Sequence, residues 1–122
     1  SAQPGAMAEA GPPARRAFLG VDVGTGSARA GVFDLSGELL GEASAEICMR
    51  TPLPEHFEQS SEDIWKACCR AVREAVASAK AEVLGELSIS GLAFDATCSL
   101  VVLGEGGRPL AVGEDLPDEP VE

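Results

Sequence analysis

Residues 18–34 read FLGVDVGTGSARAGVFD, an apolar run that ends in an acid, a turn of small residues, and a second apolar run. Two strands joined by a glycine-rich turn expose backbone N–H groups at the tip, and successive N–H groups form a concavity that binds anions. Thr25 and Ser27 add hydroxyl donors there, and Asp22 can hold a hydrated Mg²⁺ against a phosphate. The stretch therefore predicts a nucleotide-phosphate hairpin, distinct from the P-loop and the dinucleotide fingerprint, which do not occur in this chain.

The same residues also fit a purely structural hairpin. Many hairpins carry two glycines and a threonine and bind nothing, and an acid such as Asp22 can serve only to cap the turn. The acid at the strand end, together with two hydroxyls two residues apart, favours a phosphate site. On the residues alone both interpretations stay open.

The sequence around the hairpin predicts an antiparallel three-strand meander. Residues 17–23 and 28–34 form the hairpin strands, and the tight turn at residues 35–37 ends in a glycine that is available for positive φ. Residues 38–47 form the third strand, in which the interior Gly41 indicates a bulge.

A long amphipathic helix is predicted after a proline-containing loop at residues 51–59. Ser60 suits the N-cap, Glu62 and Asp63 suit the positive helix end, and Gly85 ends the helix. Apolar residues that recur at spacings of three and four predict the face that packs on the sheet. These residues are Trp65, Cys68, Val72, Val76, Ala79 and Val83.

Residues 87–94 are predicted to form a fourth strand, parallel to an earlier one because a helical crossover precedes it. In α/β sheets the ligand crevice lies at the carboxyl ends of the strands, where Asp22 and Asp95 both stand, so we expect them to face one cleft. Asp95 could alternatively only bond neighbouring N–H groups. A short strand at 99–103, a glycine turn at 104–107 and a pairing segment at 108–112 follow, and residues 113–122 are expected to fray.

Composition limits the partners and the compartment. The net charge of −11 argues against nucleic acid and anionic membranes as partners, since both require basic patches. Four cysteines without a Cys-x-x-Cys pair, and a single histidine, predict reduced thiols rather than a zinc site. The sequence has neither a run of ~18 apolar residues nor a signal-peptide core, so we expect a cytoplasmic protein with a disordered arm over residues 1–16.

Two segments resemble a known enzyme family. Residues 22–29 (DVGTGSAR) resemble the first phosphate motif of the FGGY carbohydrate kinases, which belong to the actin, Hsp70 and hexokinase superfamily. Residues 89–101 (ISGLAFDATCSLV) are similar to the ribulokinase-like branch, in which a Gly-x-x-x-Asp-x-Thr segment lies in the sugar cleft. The resemblance implies an α/β fold, with residues 17–112 forming the N-terminal part of a ribonuclease H-like, actin-like ATPase lobe that is incomplete.

The resemblance also implies a reaction, the transfer of the ATP γ-phosphoryl group to a terminal hydroxyl of a ketopentose such as D-ribulose, with Mg²⁺. By this resemblance Asp22 organises Mg²⁺ through water, and Arg29 lies near the transferred group. The ATP phosphates face the residues of the turn, namely Gly24, Thr25, Gly26 and Ser27. The sugar site is lined by Asp95, Ala96 and Thr97.

The resemblance places other parts of such an enzyme beyond Glu122: the catalytic Asp base, an Asp-x-Arg-like segment and the lobe that binds adenosine. We therefore assign no catalytic base within the chain and expect an N-terminal fragment that is inactive without the rest of both lobes. Without those parts, an apolar face and an open strand edge would stay exposed. A truncated non-catalytic product with a regulatory or vestigial role, and a different sugar or glycerol kinase, remain alternatives.

Overall fold

The computed structural model describes residue 5 and residues 11–110, which form a four-stranded sheet with one long helix. The elements are β1 (Arg15–Val23), β2 (Ser27–Asp34), β3 (Leu39–Glu46), α1 (Ser61–Glu82), β4 (Leu87–Ala96) and a 3₁₀ turn at Glu105–Gly107. The sheet order is β3-β2-β1-β4; β1, β2 and β3 pair antiparallel, and β4 pairs parallel to β1. The predicted meander and the predicted parallel strand after the helix are both confirmed.

The start of β1 corrects the predicted boundary of the N-terminal arm. Arg15 and Arg16 belong to the sheet, although the arm was expected to extend to residue 16. The Arg15 guanidinium forms ion pairs with Asp34, at 2.7 Å, and with Glu38, at 2.8 Å. These contacts fasten the start of β1 to the turn between β2 and β3. Residues 1–4 and 6–10 of the predicted arm lie outside the described residues.

Asp34 organises that turn. Its carboxylate accepts hydrogen bonds from the Ser36 N–H at 2.9 Å and from the Ser36 hydroxyl at 2.6 Å. These bonds, and the bond from the Arg15 guanidinium, hold the pKa of the Asp34 carboxyl well below its usual range. Gly37 completes the turn with a φ of 86°, a left-handed conformation that glycine adopts at no steric cost.

Gly41 marks both a bulge and the closest approach of the helix to the sheet. Val32 pairs with Gly41 while Phe33 pairs with Leu39, so Leu40 is the extra residue of a bulge beside the predicted position. A Cβ added to Gly41 would lie 2.6 Å from the carbonyl oxygen of Ala75, on α1. The position therefore has no room for a side chain.

The buried face of α1 differs from the predicted stripe. Cys68, Ala79 and Val83 are buried as expected, but Trp65 is 62% exposed, and Val72 and Val76 are only partly buried. The fully buried helix face carries small residues, namely Ala67, Cys68, Ala71, Ala75 and Ala79. Because the helix lies directly on the Gly41 backbone, only small side chains fit between the layers, and the larger ones occupy the flanks.

Both ends of α1 agree with the sequence signals. The Ser60 side chain accepts a hydrogen bond from the Asp63 N–H at 3.2 Å and is thus the predicted N-cap. Val83 is the C-cap, and Gly85 follows with a φ of 88°. Within the described part of the chain, no helix is long and apolar enough to cross a membrane.

The end of the described chain is less regular than predicted. The strand expected at 99–103 is wrong: a single bridge joins Leu103 to Pro109, and the Leu110 N–H bonds the Val102 carbonyl at 3.0 Å. Among residues 11–110 no neighbouring strand offers these residues a longer ladder. Residues 111–122, including the predicted frayed tail, lie outside the described residues.

Candidate active site

The parallel pairing of β1 and β4 brings the two acids of the sequence motifs together. Asp22 is the register partner of Asp95, and Val23 is the partner of Ala96, at the carboxyl ends of the two strands. The Thr97 N–H then donates to the Val23 carbonyl at 3.0 Å, which continues the contact past the end of β4. Adjacent strands lie about 4.8 Å apart, so both carboxylates stand on one rim of the sheet.

A cation lies across from these acids. The Arg29 guanidinium, on β2, forms an ion pair with the Asp22 carboxylate at 2.6 Å, and the two residues are register partners in the hairpin. Both side chains are about half exposed, at 57% and 52%, so a ligand can reach them. The row Arg29, Asp22, Asp95 therefore crosses three adjacent strands.

The turn between β1 and β2 is closed by one short hydrogen bond. The Gly24 N–H donates to the Ser27 carbonyl at 2.9 Å, and Thr25 and Gly26 are exposed at the tip. A Cβ added to Gly24 would lie 2.9 Å from Nη2 of Arg29, whereas one added to Gly26 would meet nothing within 4 Å. The tip thus has open space around Gly26.

Two hydrogen bonds from outside the hairpin fix the carbonyls of the tip. The Ile47 N–H donates to the Gly26 carbonyl at 3.0 Å, and Nε2 of Gln59 donates to the Thr25 carbonyl at 2.5 Å. No motif in the sequence assigns a functional role to Gln59. The sequence carries no pattern that predicts this contact, since the two residues are far apart along the chain.

An open cleft of about 440 Å³ extends from the charged row along the sheet face opposite α1. Its floor is made of small residues, and its far end is apolar. Besides Asp22, Arg29 and Asp95, its lining includes Gly20, Gly31, Ala93, Phe33, Leu39 and Glu42. No sequence motif predicted this second group. The alternation of side chains along a strand would have identified some of these residues, because Arg29, Gly31 and Phe33 lie on one face of β2.

The remaining predicted residues lie beside this cleft and not in its lining. Ala96 is the last residue of β4 and Thr97 follows it, and the Thr97 hydroxyl lies 3.4 Å from that of Ser99. Thr25 borders a second cavity, of about 290 Å³, which Gln59 and Ser99 also line. The structure therefore gathers Asp22, Arg29 and Asp95 into one cavity and leaves the turn between two cavities.

The donor set suits Mg²⁺ that is held together with a phosphate. This ion keeps several waters and is usually bound through one or two carboxylates plus substrate phosphates. Asp22 and Asp95 offer two such carboxylates in register. In the part of the chain that the structure describes, no group of three or more His, Cys, Asp or Glu side chains could hold a metal ion. Phosphate oxygens would have to supply further ligands.

Comparison with known proteins finds carbohydrate kinases both by family model and among individual relatives. Residues 17–111 match the N-terminal domain of the FGGY family of carbohydrate kinases. The chain is 48% identical over 100 residues to the human FGGY carbohydrate kinase domain-containing protein, covering 82% of this chain and 17% of that protein. It is 41% identical over 104 residues to a D-ribulokinase of Saccharomyces cerevisiae, covering 84% of this chain and 14% of that protein.

The fold is shared with solved sugar kinases. The structure of xylulose kinase from Rhodospirillum rubrum matches with a TM-score of 0.67 at 22% identity, covering 78% of this chain and 19% of that chain. At this identity the likeness concerns the fold alone. The chain therefore spans less than a fifth of the length of the proteins and structures that it is compared with here.

Proposed function

This chain belongs to the FGGY family of carbohydrate kinases, and we propose that it forms the phosphate-binding and sugar-contacting part of a kinase that uses ATP to phosphorylate a ketopentose such as D-ribulose. The family membership confirms the resemblance carried by residues 22–29 and 89–101. The relative named D-ribulokinase supports a ketopentose as the acceptor. Glycerol kinases also match, at a lower identity of 29–34%.

The row of Arg29, Asp22 and Asp95 at one end of the cleft carries this proposal. Phosphoryl transfer involves little covalent chemistry for the protein, so catalysis depends on positioning and electrostatic stabilisation. Asp22 would hold hydrated Mg²⁺, which neutralises phosphate charge when it is bound. Arg29 would place a permanent cation near the transferred group. Asp95, on the neighbouring strand β4, would accept a hydrogen bond from a hydroxyl of the sugar.

The turn supplies the second part of the site. Gly24, Thr25, Gly26 and Ser27 would face the ATP phosphates through backbone N–H groups and hydroxyls. The exposure of Thr25 and Gly26, and the open space around Gly26, support this role. Ala96 and Thr97 would complete the sugar site next to Asp95.

The proposal also includes a cytoplasmic location, which fractionation of cells that express the protein would test.

The test is a substrate comparison in the full-length protein that contains these residues. ADP release would be followed with ATP·Mg²⁺ and D-ribulose, D-xylulose or glycerol as the acceptor, and the phosphorylated carbon would be located by NMR. We expect kcat/KM for D-ribulose to exceed that for glycerol by about tenfold or more, because a site built to bond hydroxyls rejects an analogue that lacks them. A preference for glycerol would favour the other kinase activity, and no ADP release with any acceptor would favour a non-catalytic role.

A further inference from the structure

We propose that Gln59 is a positioning residue for the phosphate-binding turn. This inference rests on the proposed function, because it concerns how the turn is oriented toward the ATP phosphates. Gln59 lies in the loop that precedes α1, and its Nε2 donates to the Thr25 carbonyl at 2.5 Å. The contact therefore comes from outside the hairpin.

The contact fixes the direction of a backbone donor. All described peptide bonds are trans, and in a planar trans peptide the N–H points away from the C=O. When Gln59 holds the Thr25 carbonyl, the N–H of Gly26 must point to the opposite side. The Ile47 N–H, which donates to the Gly26 carbonyl at 3.0 Å, constrains the next peptide in the same way.

The turn needs such an external constraint. Gly24 and Gly26 are not among the described glycines with positive φ, so neither is locked in a conformation that only glycine can adopt. Glycine explores more of φ/ψ space than any other residue, and a turn with two of them can rotate its peptides. A hydrogen bond to one carbonyl selects a single orientation before the ligand arrives, which lowers the cost of binding.

Gln59 is itself held on both sides. Before it, Arg50 and Glu58 exchange backbone hydrogen bonds at 2.8 and 3.0 Å, and their side chains form an ion pair at 2.8 Å. After it, the buried Ser60 caps α1. With its backbone fixed at both neighbours, Gln59 has only its side-chain torsions to adjust. The loop thus transmits the position of α1 to the tip of the hairpin.

The experiment uses the full-length protein with Gln59→Leu and Gln59→Glu. Leu removes the donor, and Glu replaces it with a carboxylate that only accepts hydrogen bonds. We expect either change to raise KM for ATP about tenfold, while the affinity for adenosine and KM for D-ribulose change less than about twofold. In Gln59→His, the imidazole Nε2 is as many bonds from Cα as the amide nitrogen of Gln59 and can also donate a hydrogen bond. This variant should therefore have a KM for ATP within about threefold of the original. His56→Ala, in the same loop, is the matched control.

Several outcomes would overturn the inference. Equal losses for ATP and adenosine, or a lower Tm with unchanged KM for ATP, would show a merely structural role. A rise confined to KM for D-ribulose would make Gln59 a sugar contact instead of a residue that positions the turn. Unchanged kinetics in an active enzyme would contradict only this inference, whereas an unsubstituted protein without ATP turnover would contradict the proposed function itself.

Discussion

At the residue scale, the candidate site depends on charges that the sheet register places side by side. Asp22 is paired with Arg29 on one side and has Asp95 as its partner on the other. All three are exposed on an open face of the sheet, where a ligand can reach them. The sequence predicted each residue, but only the register shows that Asp22 lies between the other two. Glu42, which also lines the cleft, came from no motif.

Asp22→Asn tests the centre of this row. The amide keeps the shape of the side chain but loses the charge that would organise Mg²⁺ through water, and the loss of such an outer partner typically costs about 10–100-fold in metal affinity or activity. We expect kcat to fall by that factor and the Mg²⁺ concentration for half-maximal rate to rise, as measured by magnesium titrations of ADP release in the full-length protein. Glu74→Gln, on the exposed side of α1, should leave both unchanged. An Asp22→Asn enzyme with the original rate and magnesium dependence would exclude Asp22 from the metal site.

The hydrogen bonds and ion pair of Asp34 should make the stability of the fold depend on pH in the acid range. Bonds from Ser36 and Arg15 lower the pKa of its carboxyl in the folded state, relative to about 3.9 in the unfolded chain. The resulting stabilisation is fully present above about pH 4–5 and is lost as the pH falls further, because protonation removes the charged acceptor. Asp34→Asn should therefore lower the free energy of unfolding at pH 7 and flatten its decline toward pH 2. Urea denaturation across this range measures both, with Glu105→Gln as the control, and parallel curves for the original and Asp34→Asn would refute the assignment.

At the scale of elements, the sequence predicted the order and type of the main elements, because alternation, capping residues and glycine turns are local signals. It did not predict the buried face of α1. Hydropathy favoured Trp65 over Ala71 and Ala75, but the distance between the layers is set by Gly41 on β3, which the periodicity of the helix does not report. The strand expected at 99–103 failed for a related reason. Its apolar residues have β propensity, but a strand also needs a neighbour with which to pair, and no local signal reports that.

The contact between β3 and α1 gives the prediction at this scale. Gly41→Ala would place a Cβ against the backbone of Ala75 and Ala79, which cannot move without displacing the helix. We expect a loss of about 1–3 kcal/mol of stability, the usual cost of overpacking a core. Chemical denaturation compares it with Gly20→Ala, where a Cβ meets nothing within 4 Å and the change should stay within about 0.5 kcal/mol. Equal effects of the two substitutions would mean that the layers separate easily.

At the scale of the whole molecule, α1 covers only part of the sheet in the described residues. The helix packs on β2 and β3, with little contact to β1, and leaves β4 at the border of the sheet. On the same side as the buried Leu19 and Val21, β4 presents Leu92 and Phe94, which are 50% and 53% exposed. Further exposed apolar residues follow at 100–103. The expected open edge and apolar face are thus present in residues 11–110.

Such a surface predicts how the 122-residue chain behaves by itself. An outer strand offers unpaired N–H and C=O groups along its edge, and beside it Leu92 and Phe94 add apolar area, so copies of the chain should associate through β4. We expect sedimentation velocity to show species that grow with concentration, and the double substitution Leu92→Lys and Phe94→Lys to suppress them by adding like charges at the contact. Leu84→Lys is the matched control. Leu84 is 90% exposed, and it lies just beyond the end of α1 and outside β4. Association that Leu84→Lys suppresses as strongly would place the contact elsewhere. A monomer at every concentration, with a cooperative thermal transition, would show that the four strands and one helix form a closed unit without further cover.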